Sequence, residues 1–179
     1  MSDPVKIAIL AGIALVALAA MRLGWRRRAA RASAAWPGLP AVPALGEPIL
    51  GPLEVTYLAT ARADDRLARL AAHGLAVRAA AEVEVHGAGV LVRRAGSADL
   101  FVPARALGAV TRASGMAGTA VGTDRVVVLR WQHGLALDTG LLPRHPDDAR
   151  RLADAIGALV GPPEGTPEPS SAPTEGSPA

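Results

Sequence analysis

From Ile7 to Met21 the chain carries no charged residue, and no other stretch restricts its fold as much. Extended past one charge at each end, to Val5 and Leu23, the run would make a helix roughly 28 Å long, about the thickness of a bilayer's hydrocarbon core. A lone segment in lipid must be helical, because only a helix satisfies its own backbone groups there. Val5, Ile7, Ile9, Leu10, Ile13, Leu15, Val16, Leu18 and Met21 are the residues expected to meet acyl chains. The expectation is one uncleaved transmembrane helix over about 5–23. A cleavable leader wants basic residues before its apolar run, whereas Met1 to Lys6 is net neutral.

The basic residues come afterwards. Arg22, Arg26, Arg27, Arg28 and Arg31 follow the run, and Trp25 stands among them. Arginines favour the cytoplasmic side and a tryptophan suits the headgroup layer, so these six are expected at the membrane interface. The expected topology is a single-pass cell-membrane protein, with its N-terminus outside, its C-terminal bulk in the cytoplasm and the lipid bilayer as one partner.

The chain has 179 residues and no cysteine, which excludes disulfides and thiolate chemistry. Between Pro52 and Gly161, 13 arginines stand against 11 carboxylates. The strongly basic balance of the whole chain therefore sits mostly beside the apolar run, and no nucleic-acid partner is expected.

Four regions follow. Residues 1–28 hold the apolar run and its basic collar. Residues 29–52 hold Pro37, Pro40, Pro43, Pro48 and Pro52, which forbid a long helix and give a semi-stiff spacer. Residues 53–161 alternate strand-like and turn-like pieces. Residues 162–179 are Pro, Ser, Thr, Glu and Gly without an apolar run, the composition of a disordered tail.

Within 53–161, Leu53–Thr60 is rich in strand formers, and Arg66–His73 has the spacing of a short helix with Leu67, Leu70 and Ala71 inward. Strands are expected at Leu75–His86, Val90–Arg94, Asp99–Val102, Leu107–Arg112, Arg125–Trp131 and Leu135–Leu142, separated by glycine-marked turns. A last helix opens at Pro146 with Asp147 and Asp148 in its first turn. It carries Ala149, Leu152, Ile156, Leu159 and Val160 on one face. The fold class is thus one N-terminal transmembrane helix plus a mainly-β domain. That domain has about seven antiparallel strands in a barrel or sandwich, closed by a C-terminal helix.

Several ordered strings carry a resemblance: Ala72-His-Gly-Leu75, Asp99-Leu-Phe-Val-Pro103, Gly115-Met-Ala-Gly118, Val126-Val-Val-Leu-Arg-Trp131 and Leu137-Asp-Thr-Gly140. Over about residues 5–160 the chain resembles a family of actinobacterial membrane proteins with one N-terminal span and a pleckstrin-homology-like (PH-like) domain, some named export or transporter-like. The resemblance implies that the last helix caps an open end of two nearly orthogonal sheets. It carries no catalytic motif.

No chemistry stands out in the residues either. His73, His86, His133 and His145 lack metal-ligand spacing, so no metal is expected. Asp138-Thr-Gly140 reads as a strand end with Asp138 on nearby amides. Glu82 and Glu84 share a strand face that reads as solvated, and Gly115–Gly122 lacks the ending of a phosphate loop. The turn at His86–Gly89 has no Lys or Arg, so no specific phosphoinositide site is expected. No catalytic residue and no cofactor are assigned. The reading is a non-enzymatic, membrane-tethered module that binds a protein or peptide at the cytoplasmic face. The alternative is an accessory subunit of a transport or envelope machine acting through its span.

Overall fold

The computed structural model describes residues 3–34, 36–65 and 67–160, apart from the side chains of several residues in the first helix. That helix is α1, Asp3–Ala34. The strands that follow are β1 (Leu50–Arg62), β2 (Ala79–His86), β3 (Gly89–Arg94), β4 (Leu100–Pro103), β5 (Leu107–Ala113), β6 (Gly115–Met116), β7 (Thr119–Ala120), β8 (Val126–His133) and β9 (Leu135–Pro143). The helix α2, Pro146–Gly157, comes last. Seven strands make one antiparallel sheet in the order β4-β3-β2-β1-β9-β8-β5, while β6 and β7 pair as a small separate hairpin.

Strand β1 is the axis of the sheet. Glu54, Val55 and Thr56 pair with β2, and Val55 through Arg62 pair with β9. A register shift between Tyr57 and Ala59 bends it between these two partners. Alternation sets the faces. Ala81, Val83 and Val85 of β2 point into the main core, and Glu82 and Glu84 lie opposite. The continuous apolar run of β8 has a different cause: both of its faces are covered. Val127, Leu129 and Trp131 enter the main core, while Val126 and Val128 enter a second cluster with Leu58, Met116 and Ala117.

The sheet does not close into a barrel, one of the two arrangements (barrel or sandwich) expected from the strand spacing. β4 and β5 stand at opposite ends of the strand order and are not paired. β4 is four residues long and ends at Pro103, which has no N–H to offer a ladder. α2 takes over where hydrogen bonds stop, packing against β5, β8 and β9 and also reaching β1 and β2. Pro146 stands at its start, Asp147 and Asp148 in its first turn, and Ala149, Leu152 and Ile156 are buried. Burying Leu152 and Ile156 contributes about 1.5–3 kcal/mol each.

The transmembrane helix is corrected as well. Among the described residues, no helix is long and apolar enough to cross a membrane. The many alanines of α1 and its Gly12 add little to the drive for insertion. Ile7, Ile9, Leu10, Ile13, Leu15, Val16, Leu18 and Met21 are exposed on α1. Arg22, Arg27 and Arg31 are exposed too, and the side chains of Val5, Trp25, Arg26 and Arg28 lie outside the described residues. The single-pass topology and the transport subunit acting through its span lose their basis together.

The helix expected at 66–73 is absent among the described residues. Leu67, placed inward by the helical spacing, is 76% exposed. The backbone here bonds to β1 instead: Leu70 N–H donates to Thr60 O at 2.9 Å, and Thr60 N–H donates to Leu75 O at 2.7 Å. Only Ala72–Gly74 makes a helical turn, of the 3₁₀ kind. The tail at 162–179 lies outside the described residues.

Candidate functional site: the open sheet and its edges

Each residue of the Asp138-Thr-Gly140 string has a structural task. Asp138 is buried in mid-strand, not at a strand end, and Arg130 grips it with two hydrogen bonds, Nε–Oδ1 at 2.8 Å and Nη2–Oδ2 at 2.9 Å. The Asp138 carboxylate in turn raises the affinity of the Arg130 guanidinium for its proton. At Gly140 the hairpin β6–β7 comes down on the sheet, and a Cβ there would collide with Met116 Sδ.

Thr139 belongs to a one-way relay. Trp131 Nε1–H donates to Thr139 Oγ1 at 3.0 Å, and Tyr57 O–H donates to Leu75 O at 2.9 Å. With those two directions set, Thr139 must donate to Thr60, and Thr60 to Tyr57, each at 2.7 Å. Every hydroxyl of the relay spends its one proton. Burial pushes the Tyr57 phenol up to about 12, against the lowering pull of the Thr60 bond and Arg94. Tyr57 is therefore a neutral donor and no proton shuttle near neutral pH.

Arg94 is a residue to which the sequence reading gave no role beyond the end of its strand. It is buried, donates to the carbonyls of His73, Gly74 and Ala98, and sits 5.0 Å from the centre of the Tyr57 ring. The period of two was the available signal: Val90 and Val92 face the core, so Arg94 must as well. Arg93 takes the other face and pairs with Glu84. That pairing, with a further bond from His86, holds the Glu84 carboxyl below its usual range. Glu84 is thus tied and mostly buried, whereas Glu82 is exposed.

Three of the histidines fasten the proline-rich stretch. His73 Nε2 and His133 Nε2 both meet Pro37 O, at 3.1 and 3.3 Å, and His86 Nδ1 meets Gly46 O at 3.0 Å. His86 Nε2 also meets Glu84 Oε2 at 3.0 Å. Trp36, Leu39 and Leu50 add apolar contact with the core. His145 stands at the N-cap of α2. Among the described residues no group of His, Asp or Glu is arranged to hold a metal.

What the geometry leaves available is the sheet's two ends. β4 is short, with all four of its residues buried. β5 is longer and lies beside α2, with Gly108, Thr111 and Arg112 exposed along it and Arg105 just before it. A wrapped antiparallel sheet, open at one seam and capped there by a C-terminal helix, matches one known architecture. The family model for bacterial PH domain-like proteins matches residues 36–157.

The chain belongs to the bacterial PH domain-like family.

No curated protein matches the chain. The family match starts at Trp36 and so takes in the stretch that the three histidines fasten. PH-like domains are protein- or lipid-interaction modules and are generally non-catalytic. The structural tasks found for Asp138, Thr139 and Gly140 accord with that.

Proposed function

We propose that this chain is a non-enzymatic interaction module whose β5 edge takes up an extended segment of a protein partner at the cytoplasmic face of the membrane. The observation that carries the reading is the edge of β5, Leu107–Ala113, which stands at the end of the strand order and is unpaired among the described residues. An edge strand presents unpaired N–H and C=O groups, and an extended peptide adds to it by the same ladder that builds the sheet. β4 offers a poorer template because it is short and closed by Pro103. Arg105 and Arg112 flank the β5 edge and favour an acidic partner segment.

Lipid is the second partner in this reading. The exposed apolar residues of α1, followed by Arg22, Arg27 and Arg31, form a surface that apolar and anionic groups would cover. Within its family we align the chain with the actinobacterial membrane-associated proteins that its ordered strings resemble. Neither nucleic acid nor a specific inositide is the ligand.

A photo-crosslinking residue at Thr111 tests the edge, with one at Ala98 as the control. The expected result is a crosslink from 111 and none from 98. A synthetic peptide of the crosslinked segment should then slow hydrogen exchange along β5, and Arg112→Glu should weaken that protection. Protection confined to β4, or no protection at all, would overturn the reading. Flotation with phosphatidylglycerol vesicles tests the lipid contact, and a chain that stays in the dense fraction would sink it.

A further inference from the structure

We propose that a cleft on the outer face of the sheet binds the carboxylate of an acidic peptide segment through Arg125. The proposal does not rest on the β5 reading, because the cleft is built on other strands. It has a volume of about 710 Å³ and runs across β1, β2, β3 and the end of β9. Glu54 and Thr56 of β1, Glu82 of β2, Arg93 of β3, Arg144 and Arg125 supply its polar walls, and Leu142 and Pro143 supply an apolar side.

The charges of this cleft do not all have partners. Arg93 is matched by Glu84. Arg144 Nη1 is matched by Glu54 Oε2 at 3.0 Å, and Arg144 N–H also donates to Glu54 O at 3.0 Å. Arg125 has neither an ion pair nor a hydrogen bond among the described residues, and its Nε is shielded from solvent with no acceptor. A shielded donor without an acceptor is unfavourable until one arrives. A guanidinium fork donates two parallel hydrogen bonds to a carboxylate, and a small rotation of the Arg125 side chain on binding would let Nε share in them with an Nη.

The same walls argue against a phosphate. Arg94 also lines the cleft without a carboxylate partner, but it is spent on three backbone carbonyls. Among the described residues Arg125 is thus the one lining cation left without a partner, and the exposed carboxylate of Glu82 lines the same cleft. A monoanion gains the Arg125 contact and meets one like charge. A dianion meets twice the repulsion for the same fork. Leu142 and Pro143 suit the methylenes of an acidic side chain, and the cleft has room for its neighbours along a peptide. An aspartate- or glutamate-bearing segment is therefore the ligand that the chemistry recognises.

The test uses the full chain with ¹⁵N-labelled arginine, and follows the Arg125 Nε–H resonance. The probes are an acetylated, amidated hexapeptide of alternating alanine and glutamate, its glutamine counterpart, inorganic phosphate, and phosphatidylglycerol vesicles. The glutamate peptide should shift that resonance saturably, and the glutamine peptide should bind about tenfold more weakly or worse. Arg125→Gln should cost about tenfold in affinity, while Arg112→Gln on β5 should leave affinity within about twofold. Glu82→Gln, at an exposed position that puts the fold at no risk, should tighten binding about two- to fivefold by removing the like charge. Equal binding of the two peptides would overturn the proposal. So would weaker binding by Glu82→Gln, or a larger Arg125 shift from phosphate or vesicles than from the peptide. A loss from Arg112→Gln as large as that from Arg125→Gln would place the peptide on β5 and refute the cleft alone.

Discussion

On its inner face the sheet packs Val83, Leu129 and Leu141 against Leu152 and Ile156 of α2, all of them fully buried. On its outer face the same strands carry Glu82, Arg93 and Leu142 around an open cleft, with a small apolar cluster under the β6–β7 hairpin. The inner face is filled, and its polar relay from Trp131 to Leu75 O leaves no proton unspent, with Trp36 Nε1 at the rim of the same core a shielded donor that lacks an acceptor among the described residues. The outer face is only partly covered and holds an arginine donor with no acceptor. The difference separates two demands on one sheet. Stability needs nearly every buried group satisfied within the chain, whereas recognition needs some group left for another molecule to satisfy.

The sharpest way to break this comparison is at the centre of the inner face. Ile156→Asp puts an unpaired carboxylate where Ile156 is fully buried, and should cost several kcal/mol out of a total of about 5–15. Urea melts of the full chain would show a collapsed midpoint, and a midpoint like the wild type's would mean that α2 does not close the sheet.

On the outer face the largest effect should come from Gly140→Val. Its side chain meets Met116, so the β6–β7 hairpin must lift, at about 1–3 kcal/mol. Faster hydrogen exchange at Met116 and Ala117, with the inner strands still protected, would mark the outer cluster as a separate layer. Equally faster exchange across the whole sheet would contradict that layering.

Tyr57→Phe removes one member of the relay and leaves Thr60 and Leu75 O short of a partner. About 1–2 kcal/mol should be lost. A neutral result would show that the relay adds nothing to packing.

A smaller, pH-dependent effect belongs to Glu84 on the outer face. Its folded pKa is lowered from the ordinary 4.5, chiefly by the Arg93 bond. A lowered carboxyl pKa stabilises the fold above the unfolded value and loses that stabilisation as pH falls through the folded one. Wild type should therefore exceed Glu84→Gln in stability by a constant margin above about pH 5.5, and the margin should shrink steadily below about 4.5. A margin that grows on acidification would reverse the assignment.

Much of the inner face could be read in the sequence, and the reason is periodicity. Ala81, Val83 and Val85 alternate, the stripe of α2 repeats at helical spacing, and Pro146 with Asp147 and Asp148 marks its start. These signals are local and agree with the packing that later uses them. Failures came where a distant element decided. Leu67 and Leu70 have helical spacing, but β1 claims the backbone bonds of that segment. Arg94 shows its role only when Tyr57 and the carbonyls of His73 and Gly74, distant in sequence, join that of nearby Ala98 around it. Barrel closure depends on whether β4 and β5 meet, which no local pattern encodes. The apolar run of α1 was plain as composition, yet composition alone did not establish a span. The cleft at Arg125 had no sequence signal, since a missing partner is visible only once every neighbour is placed.

The smallest expected effect tests the phase of α2. Asp154 lies between Leu152 and Ile156 in sequence, but a turn of 3.6 residues rotates it to the opposite side, and it is exposed. No hydrogen bond or ion pair involves its carboxylate among the described residues, although its backbone carbonyl accepts the Ala158 N–H at 3.0 Å. Asp154→Ala keeps that backbone bond and removes only a solvated charge, while alanine favours the helix slightly. The carboxylate also stands past the middle of α2, toward the negative end of the helix dipole, where an acid gains nothing. The two contributions point the same way, so stability should stay within about 0.5 kcal/mol of wild type, on the side of a small gain. The check is a paired urea melt with Ile156→Asp, two residues along the same helix. A larger loss for Asp154→Ala than for Ile156→Asp would turn the helix over, placing the charged face on the sheet and the apolar stripe in water.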